Sequence, residues 1–487
     1  MSNYFVHIKQ FLFTNQSLRQ TVAKNAFWMG INQLMGRLIR AVIVIYATRL
    51  LGAEGWGAFS YAVGLGAFLT IFSDIGITGL ITREISKERN EELYSRYLST
   101  GFFIKSFMLI IGIGIFIFGR NYFTDSPAVA ALIPLVAILT AIDGLRDLLI
   151  GIARARQRIE LETWANLIMN IATTLLGFAF LSIAPTGTML IYAYLAGSTI
   201  GLTALFFTFR NYVRNFFSHF SWNLIKPIIT HAWPLGITAL MGAMMINTDL
   251  ILIGIMRPIA EVGFFSAAQR PIQLVYILAG FLMVPLFPIL SQFAERHNEF
   301  SKILQKGLYI LTLAAIPLAL TGLLLGKELV LFLYGEAYLA TVPIFKILSL
   351  TILMTFPSGL IGNALFAMGR ERPMTLYTVI GAGGNAILDI LLIPTFGIIG
   401  CAWATVGTQF ASNCYAWWHM RDKLSFDFAQ SFYRPVIAGV VMTVIILILM
   451  QVHINFLITT AAGLVAYALA IVALKEPLIA EARRMFS

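Results

Sequence analysis

The sequence predicts an all-α integral membrane protein of about fourteen helices, built as two six-helix lobes plus two C-terminal helices. Three observations predict it. The 487 residues are 59% hydrophobic and only 12% charged, with mean hydropathy +0.82, against about 25% charged in soluble domains. The apolar runs are continuous, as from Phe107 to Phe118 and from Val436 to Met450, and not the short alternating segments of a membrane β-barrel. A stretch near the N-terminus recurs in the middle of the chain.

A crossing helix takes about 20 mostly apolar residues, and a helix satisfies its own backbone where lipid offers no partner. On that basis spans are expected near 23–47, 56–80, 98–118, 128–150, 163–182, 188–209, 229–252, 260–287, 305–325, 339–367, 374–393, 397–418, 434–451 and 454–474. Pro343 and Pro357 fall inside 339–367, where a kink or re-entry is expected. No cleavable signal sequence is expected, because the first twenty residues lack a compact apolar core and a small-residue cleavage site.

Alternation of these spans sorts the basic residues. Of 34 Lys and Arg, 24 fall on one face, including Arg83, Lys87, Arg154, Arg156, Arg158, Arg421 and both chain ends. Only Arg49, Arg120, Arg257 and Lys327 fall on the other, and six lie within spans. This bias predicts a cytoplasmic location for both termini. It also accounts for the net charge of +11 without invoking nucleic acid.

Residues 26–62 align without gaps to 232–268, with 11 of 37 positions identical, among them Leu34-Met35-Gly36 and Leu240-Met241-Gly242. Six spans separate the copies, so both insert in the same orientation. The expected partition is an N-terminal lobe (1–218), a second lobe (219–424), and two further helices with a cytoplasmic tail (425–487). Like-oriented repeats related by an axis along the membrane normal are a transporter arrangement in which one lobe rocks against the other. Prolines concentrate in the second copy, which is expected to bend more.

Ionisable groups at membrane depth are costly and are functional candidates by default. Arg37 and Arg40 lie mid-span, three residues apart, on one helix face. No acid lies within a turn of them. With Arg270 and Lys346 they would line a cleft suited to a pyrophosphate, since guanidinium groups bind phosphate through a planar fork. The competing reading neutralises them with acids of other helices, such as Asp74 or Asp249. Asp74, Asp249 and Asp389 are candidate coupling-ion residues, the last two placed near outer span ends where they would reach the interface. Asp143, Arg146 and Asp147 can satisfy one another at i, i+3 and i+4. Lys105 is expected to snorkel to the interface. Trp28, Trp56, Trp164, Trp233, Trp417 and Trp418 fall near span ends, as an interfacial belt would place them.

Other chemistry is not supported. The six histidines have no metal-ligand spacing, Cys401 and Cys414 are thirteen residues apart, and no P-loop occurs. Gly381-Ala382-Gly383-Gly384 sits in an apolar span, where helix packing explains it. No cofactor and no metal are expected. The loops are too short for a catalytic domain, which argues against a membrane polymerase or ligase.

The stretch from Ala47 through Arg49, Leu51, Gly52 and Gly57, then Asp74-Ile75-Gly76 and Arg83-Glu84, with Asn25 in the first helix, resembles the opening of polysaccharide flippases of the MOP superfamily, the Wzx-like O-antigen and exopolysaccharide translocases. The resemblance implies a MOP/MATE-like fold, an undecaprenyl-pyrophosphate-linked oligosaccharide as substrate, and a cationic central cavity. It also implies the polymerase and chain-length machinery of glycan assembly as partners, beside membrane lipid. The alternative within the same fold is a MATE-like antiporter of drug cations. Such extruders favour acidic cavities, whereas this chain places an arginine pair at mid-membrane.

Overall fold

The structure, a computed structural model, describes residues 12–15, 17–87, 90–217, 219–283, 286–421 and 428–474. Lys9, Arg89, Lys423, Lys475, Arg483 and Arg484 fall outside them, as does the side chain of Arg19. The described chain is helical throughout. Its main elements are α1 (Leu18–Asp74), α2 (Ile77–Lys87), α3 (Glu91–Phe118), α4 (Pro127–Ala155), α5 (Ile159–Ile183), α6 (Gly187–Thr208), α7 (Trp222–Met256), α8 (Ile259–Met283) and α9 (Leu286–Gln292). They continue with α10 (His297–Leu324), α11 (Gly326–Tyr334), α12 (Thr341–Ser349), α13 (Thr351–Ala367), α14 (Glu371–Trp418), α15 (Phe428–Gln451) and α16 (Phe456–Ala473). Among the described residues, ten helices are long and apolar enough to cross a membrane, or up to twelve when the bent pairs α1–α2 and α8–α9 each count as one crossing.

Two of these helices are doubled. At 57 residues, α1 would run about 85 Å at 1.5 Å per residue, far more than a hydrocarbon core of about 30 Å. Gly52 breaks it, at φ 66, ψ 178. Packing registers show that the chain reverses there. Before the break, Gly36 faces Asn170 and Ile43 faces Gly177, so this half runs parallel to α5. After it, Gly66 faces Val136, and Thr78 and Thr82 face Gly151, so the chain runs parallel to α4. Helix α6 follows α4, with Gly187 beside Leu132 and Ser198 bonded to Asp143. It runs against α5, with Gly197 on Thr173 and Gly201 on Ala165. The two halves of α1 are therefore antiparallel.

The 48-residue α14 is broken likewise at Gly397 (φ 59, ψ −146). There Asn385 meets Thr408, Leu388 meets Gly407 and Leu392 meets Gly400, which is the register of a hairpin. Dividing both helices at their glycines recovers the fourteen expected segments. The conformation of Gly52 is one that glycine alone adopts readily. Gly52→Ala is expected to cost about 1–3 kcal/mol, read as a lower melting temperature of the purified protein. An unchanged melting temperature would contradict the turn.

By its contacts the chain divides into residues 1–263 and 264–487. Helix α7 belongs with the first unit because its small residues let it approach α1 and α2 closely. Gly76 packs on Ala232 and Gly236, and Gly254 on the ring of Tyr61. The 218/219 boundary follows the sequence repeat, whereas this one follows packing. The repeat has a structural echo. Gly52 aligns with Pro258, and both mark a helix break. Ala53 aligns with Ile259 and Gly57 with Gly263. Gly57 packs on Ile259 and Gly263 on Ala53, the reciprocal contact expected about a local two-fold axis.

In the first unit a core gathers Ile77, Leu80, Ile81, Leu98, Leu148, Ile152 and Ala232 from α2, α3, α4 and α7. In the second, Ala438, Met442, Ile446, Tyr467 and Ile471 of the hairpin α15–α16 pack around Leu325. The region 341–367 forms one crossing with a small irregularity at Leu350, between Pro343 and Pro357. Trp28 and Trp56 are buried, unlike the other four belt candidates. Trp28 donates to the carbonyl of Leu12, and Trp56 stacks on Phe59. Proximity to a span end did not distinguish a headgroup-facing indole from one turned into the bundle.

Candidate functional site

Arg37 and Arg40 sit where the first half of α1 runs beside α5. The level is fixed by Asn170, near the middle of the 25-residue α5, so both guanidinium groups lie near mid-depth. Arg40 donates from Nε to Asn170 Oδ1 at 3.0 Å, and its guanidinium carbon lies 5.7 Å from the ring centre of Tyr194 on α6. Arg37 lies close enough to Arg40 for their charges to repel. Both side chains are exposed. Neither forms an ion pair among the described residues, whose pairs run elsewhere. An exposed arginine pair at this depth would be costly against hydrocarbon, so its face is suited to water or to an anion.

The acids offered as alternative partners are engaged or enclosed. Asp74 accepts from Lys105 Nζ at 2.6 Å and from the hydroxyl of Thr78. Lys105 is 2% exposed, near the middle of α3, and also donates to Thr78 Oγ1. It therefore does not snorkel, contrary to expectation. An internal partner 31 residues away in sequence holds it inside the bundle. Arg146 pairs with Asp143 at 2.9 Å and Asp147 at 3.8 Å, as their spacing predicts, and Ser198 donates to Asp143.

Asp249 and Asp389 do not reach an exposed interface. They are 2% and 0% exposed, because each sits on a helix face covered by neighbouring helices. Asp389 accepts from Asn385 at 2.9 Å, whose own oxygen accepts from Thr408 at 3.1 Å. In the second unit, Arg270 lies in α8 immediately before Pro271, near Tyr334. Lys346 is half-buried in α12, its stem against Gly326 at the α10–α11 junction. That places Lys346 level with the far end of α10 and away from mid-depth.

Sequence reasoning missed the uncharged side chains that position the arginines. A polar ladder climbs between α1 and α5. Lys24 pairs with Glu160 at 3.0 Å. Arg154 pairs with Glu162 at 2.6 Å. Asn32 donates to Glu162, Asn166 donates to Asn32, and Arg40 donates to Asn170. Above it the interface turns aromatic and apolar, at Tyr46 on Phe178 and Ile43 on Gly177. Asn166 and Asn170, at i and i+4 in an apolar span, were the available signal.

Comparison with known proteins bears on what this arrangement serves. Residues 22–294, more than half of the chain, match the family model described as "Polysaccharide biosynthesis protein". The chain belongs to this family. Among its relatives is the "Probable low-salt glycan biosynthesis flippase Agl15" of Haloferax volcanii. It is 23% identical over 409 residues, which cover 80% of this chain and 82% of that protein. Among solved structures, the lipid II flippase MurJ in an inward closed conformation matches with TM-score 0.74 and 16% identity, over 91% of this chain and 99% of that one. An inward-facing multidrug resistance MATE family transporter of the MOP superfamily matches with TM-score 0.66 and 14% identity, over 82% and 98%. The fold is thus that of MOP transporters. The protein is a multi-pass membrane transporter of the polysaccharide flippase type and not an enzyme, and its family implies a lipid-linked glycan as substrate.

Proposed function

We propose that this protein carries an oligosaccharide on an undecaprenyl-pyrophosphate-type lipid from the cytoplasmic to the outer leaflet, by alternating access of two repeat-related lobes (1–218 and 219–424), with two further helices and a cytoplasmic tail (425–487) appended. The observation that carries the reading is the Arg37–Arg40 pair at mid-depth, exposed, without an acidic partner among the described residues, and oriented by Asn170 and Tyr194. Two guanidinium forks held close together suit the adjacent oxygens of a pyrophosphate. Tyr194 presents a ring against which a sugar can stack. Arg270 and Lys346 are proposed as further cations along the substrate's path. A carrier of drug cations would gain nothing from the arginine pair.

Transport is proposed to be coupled to an ion gradient. Asp249 and Asp389 are the better-placed coupling residues, since both are enclosed within apolar helices, where an ionisable group is a functional candidate by default. Asp74 is the weaker candidate, because Lys105 already neutralises it. Both termini are assigned to the cytoplasm on the basic-loop bias. Polymerase and chain-length proteins are proposed as downstream partners.

The deciding experiment is analysis of lipid-linked sugars in a strain lacking this protein. An unpolymerised, lipid-linked unit should accumulate on the cytoplasmic face while surface polysaccharide falls to background. Intact surface glycan together with drug hypersensitivity would transfer the protein to the antiporter class.

A further inference from the structure

The helix faces around the arginine pair divide by polarity. On a helix turning about 100° per residue, Gln33, Arg37 and Arg40 fall within about 60° of one another, and all three are exposed. The exposed apolar residues of this half of α1, Phe27, Leu34, Leu38 and Val42, form a separate stripe centred about 140° away. Helix α5 divides more sharply. Glu162, Asn166 and Asn170 share one face at i, i+4 and i+8, and the exposed Trp164, Ile168, Ile171 and Leu175 occupy the opposite one. The apolar stripes suit lipid. The polar faces would be costly there, so they front water or a polar ligand. All of these residues belong to the first unit.

Three amides continue the arginine site toward the start of α1. Gln33 lies one helical turn before Arg37, and Asn166 one turn before Asn170. Asn32 and Asn166 are half-buried where α1 meets α5, and Gln33 is exposed beside them. Asn166 donates to Asn32 Oδ1 at 3.3 Å, and Asn32 donates to Glu162 at 3.4 Å. An amide has two donors and two acceptor lone pairs, so this chain leaves capacity on both asparagines. The Gln33 side chain makes no hydrogen bond among the described residues. Arg154 is held by both oxygens of Glu162, at 2.8 and 2.6 Å. Past Arg40 the same interface is apolar, at Ile43 on Gly177 and Tyr46 on Phe178, so the amides lie on one side of the pair only.

We propose that Asn32, Gln33 and Asn166 bind the sugar joined to the substrate's pyrophosphate, and that they select an uncharged residue with free hydroxyl or acetamido groups. This rests on the reading that Arg37 and Arg40 hold the pyrophosphate. Hydroxyl and acetamido groups both give and accept hydrogen bonds, and side-chain amides match them in both directions. A uronic acid would find no unengaged cation at this level among the described residues, since the pyrophosphate takes the pair and Glu162 takes Arg154. Its carboxylate would also lie near that of Glu162.

The test uses purified full-length protein in phosphatidylcholine nanodiscs and three defined probes: undecaprenyl pyrophosphate, the same lipid bearing one N-acetylglucosamine, and the same lipid bearing one glucuronic acid. Each competes against radiolabelled undecaprenyl pyrophosphate, so the shared tail cancels. Two further neutral hydrogen bonds should make the N-acetylglucosamine probe bind about tenfold tighter than the bare lipid. The glucuronic acid probe should bind no tighter than the bare lipid. Gln33→Ala with Asn166→Ala should bring the N-acetylglucosamine probe down to the bare lipid and leave the bare lipid unchanged, a split that misfolding would not produce. Gln33→Ala alone, at an exposed position, should lose about threefold of the preference. Equal binding of the bare and N-acetylglucosamine lipids by the wild type overturns the sugar site and leaves the arginine reading intact. So does a preference that survives in the double variant, or tighter binding of the glucuronic acid probe. Absence of saturable binding of the bare lipid removes the pyrophosphate reading and the sugar site with it.

Discussion

Replacing Arg37 and Arg40 together by Gln is expected to abolish surface polysaccharide while the protein remains at normal abundance in the membrane. A hydrogen bond to a charged group contributes about 1.5–3 kcal/mol. Losing one such bond from each arginine costs about 3–6 kcal/mol, and every 1.4 kcal/mol is tenfold in affinity, so substrate binding should weaken a hundredfold or more. Stability should not fall. Neither arginine has an acidic partner among the described residues that would be stranded by its removal, and the pair repels itself. Arg37→Lys with Arg40→Lys should give an intermediate loss, because the charge stays and the planar fork goes. The measurements are surface glycan by immunoblot and membrane abundance by quantitative blot of the same cells. Normal glycan in the Gln pair would remove the anion-binding role, whatever the fold. A matching loss of protein would mean that the arginines serve the scaffold.

Asn170→Ala provides a milder test of the same site. It removes the acceptor that aims Arg40 but leaves the charge. Export should decrease severalfold without being abolished, and Arg40→Gln in that background should add the larger loss. Equal transport by the Asn170→Ala variant and the wild type would show that Asn170 does not position Arg40.

Much of this architecture was legible in the residues because hydrophobic spans report themselves. Each crossing must be about 20 residues of apolar helix, and the basic loops mark alternate ends. The arginine pair was legible for the same reason, since two guanidinium groups within an apolar run have no local explanation. Partners on other helices were not legible. Lys105 looked close enough to an interface to reach it, and only folding brings Asp74 and Thr78 to its ammonium. Asp249 and Asp389 looked interfacial for a similar reason, because distance from a span end says nothing of the helix face a side chain occupies. The Asn residues of α5 carry no charge, so their i, i+4 spacing in an apolar span was passed over, although Asn170 holds Arg40 directly. The hairpin glycines were half-visible: loops were expected at both places, but the reversal takes a single residue where turn chemistry ordinarily takes several.

The second large effect separates scaffold charges from site charges. Lys105→Met should destabilise the protein by about 2–4 kcal/mol, toward the low side of what breaking a buried pair costs, because Asp74 keeps Thr78 and is itself 22% exposed. Abundance in the membrane and the melting temperature in detergent should both decrease. Asp74→Asn alone should also destabilise, since it leaves a fully enclosed ammonium with only the Thr78 hydroxyl and an amide. The double variant Lys105→Met with Asp74→Asn should recover most of the stability, as replacing a buried pair as a unit often does. Transport by that double variant then decides the role of Asp74. If Asp74 serves only to neutralise Lys105 and cap the start of α2, glycan export returns with stability. If Asp74 carries the coupling ion, the double variant folds and still fails to export. A Lys105→Met protein as stable as the wild type would mean that the 2.6 Å contact does not hold in the bilayer, and Asp74 would then be free to rank with Asp249 and Asp389 as a coupling candidate.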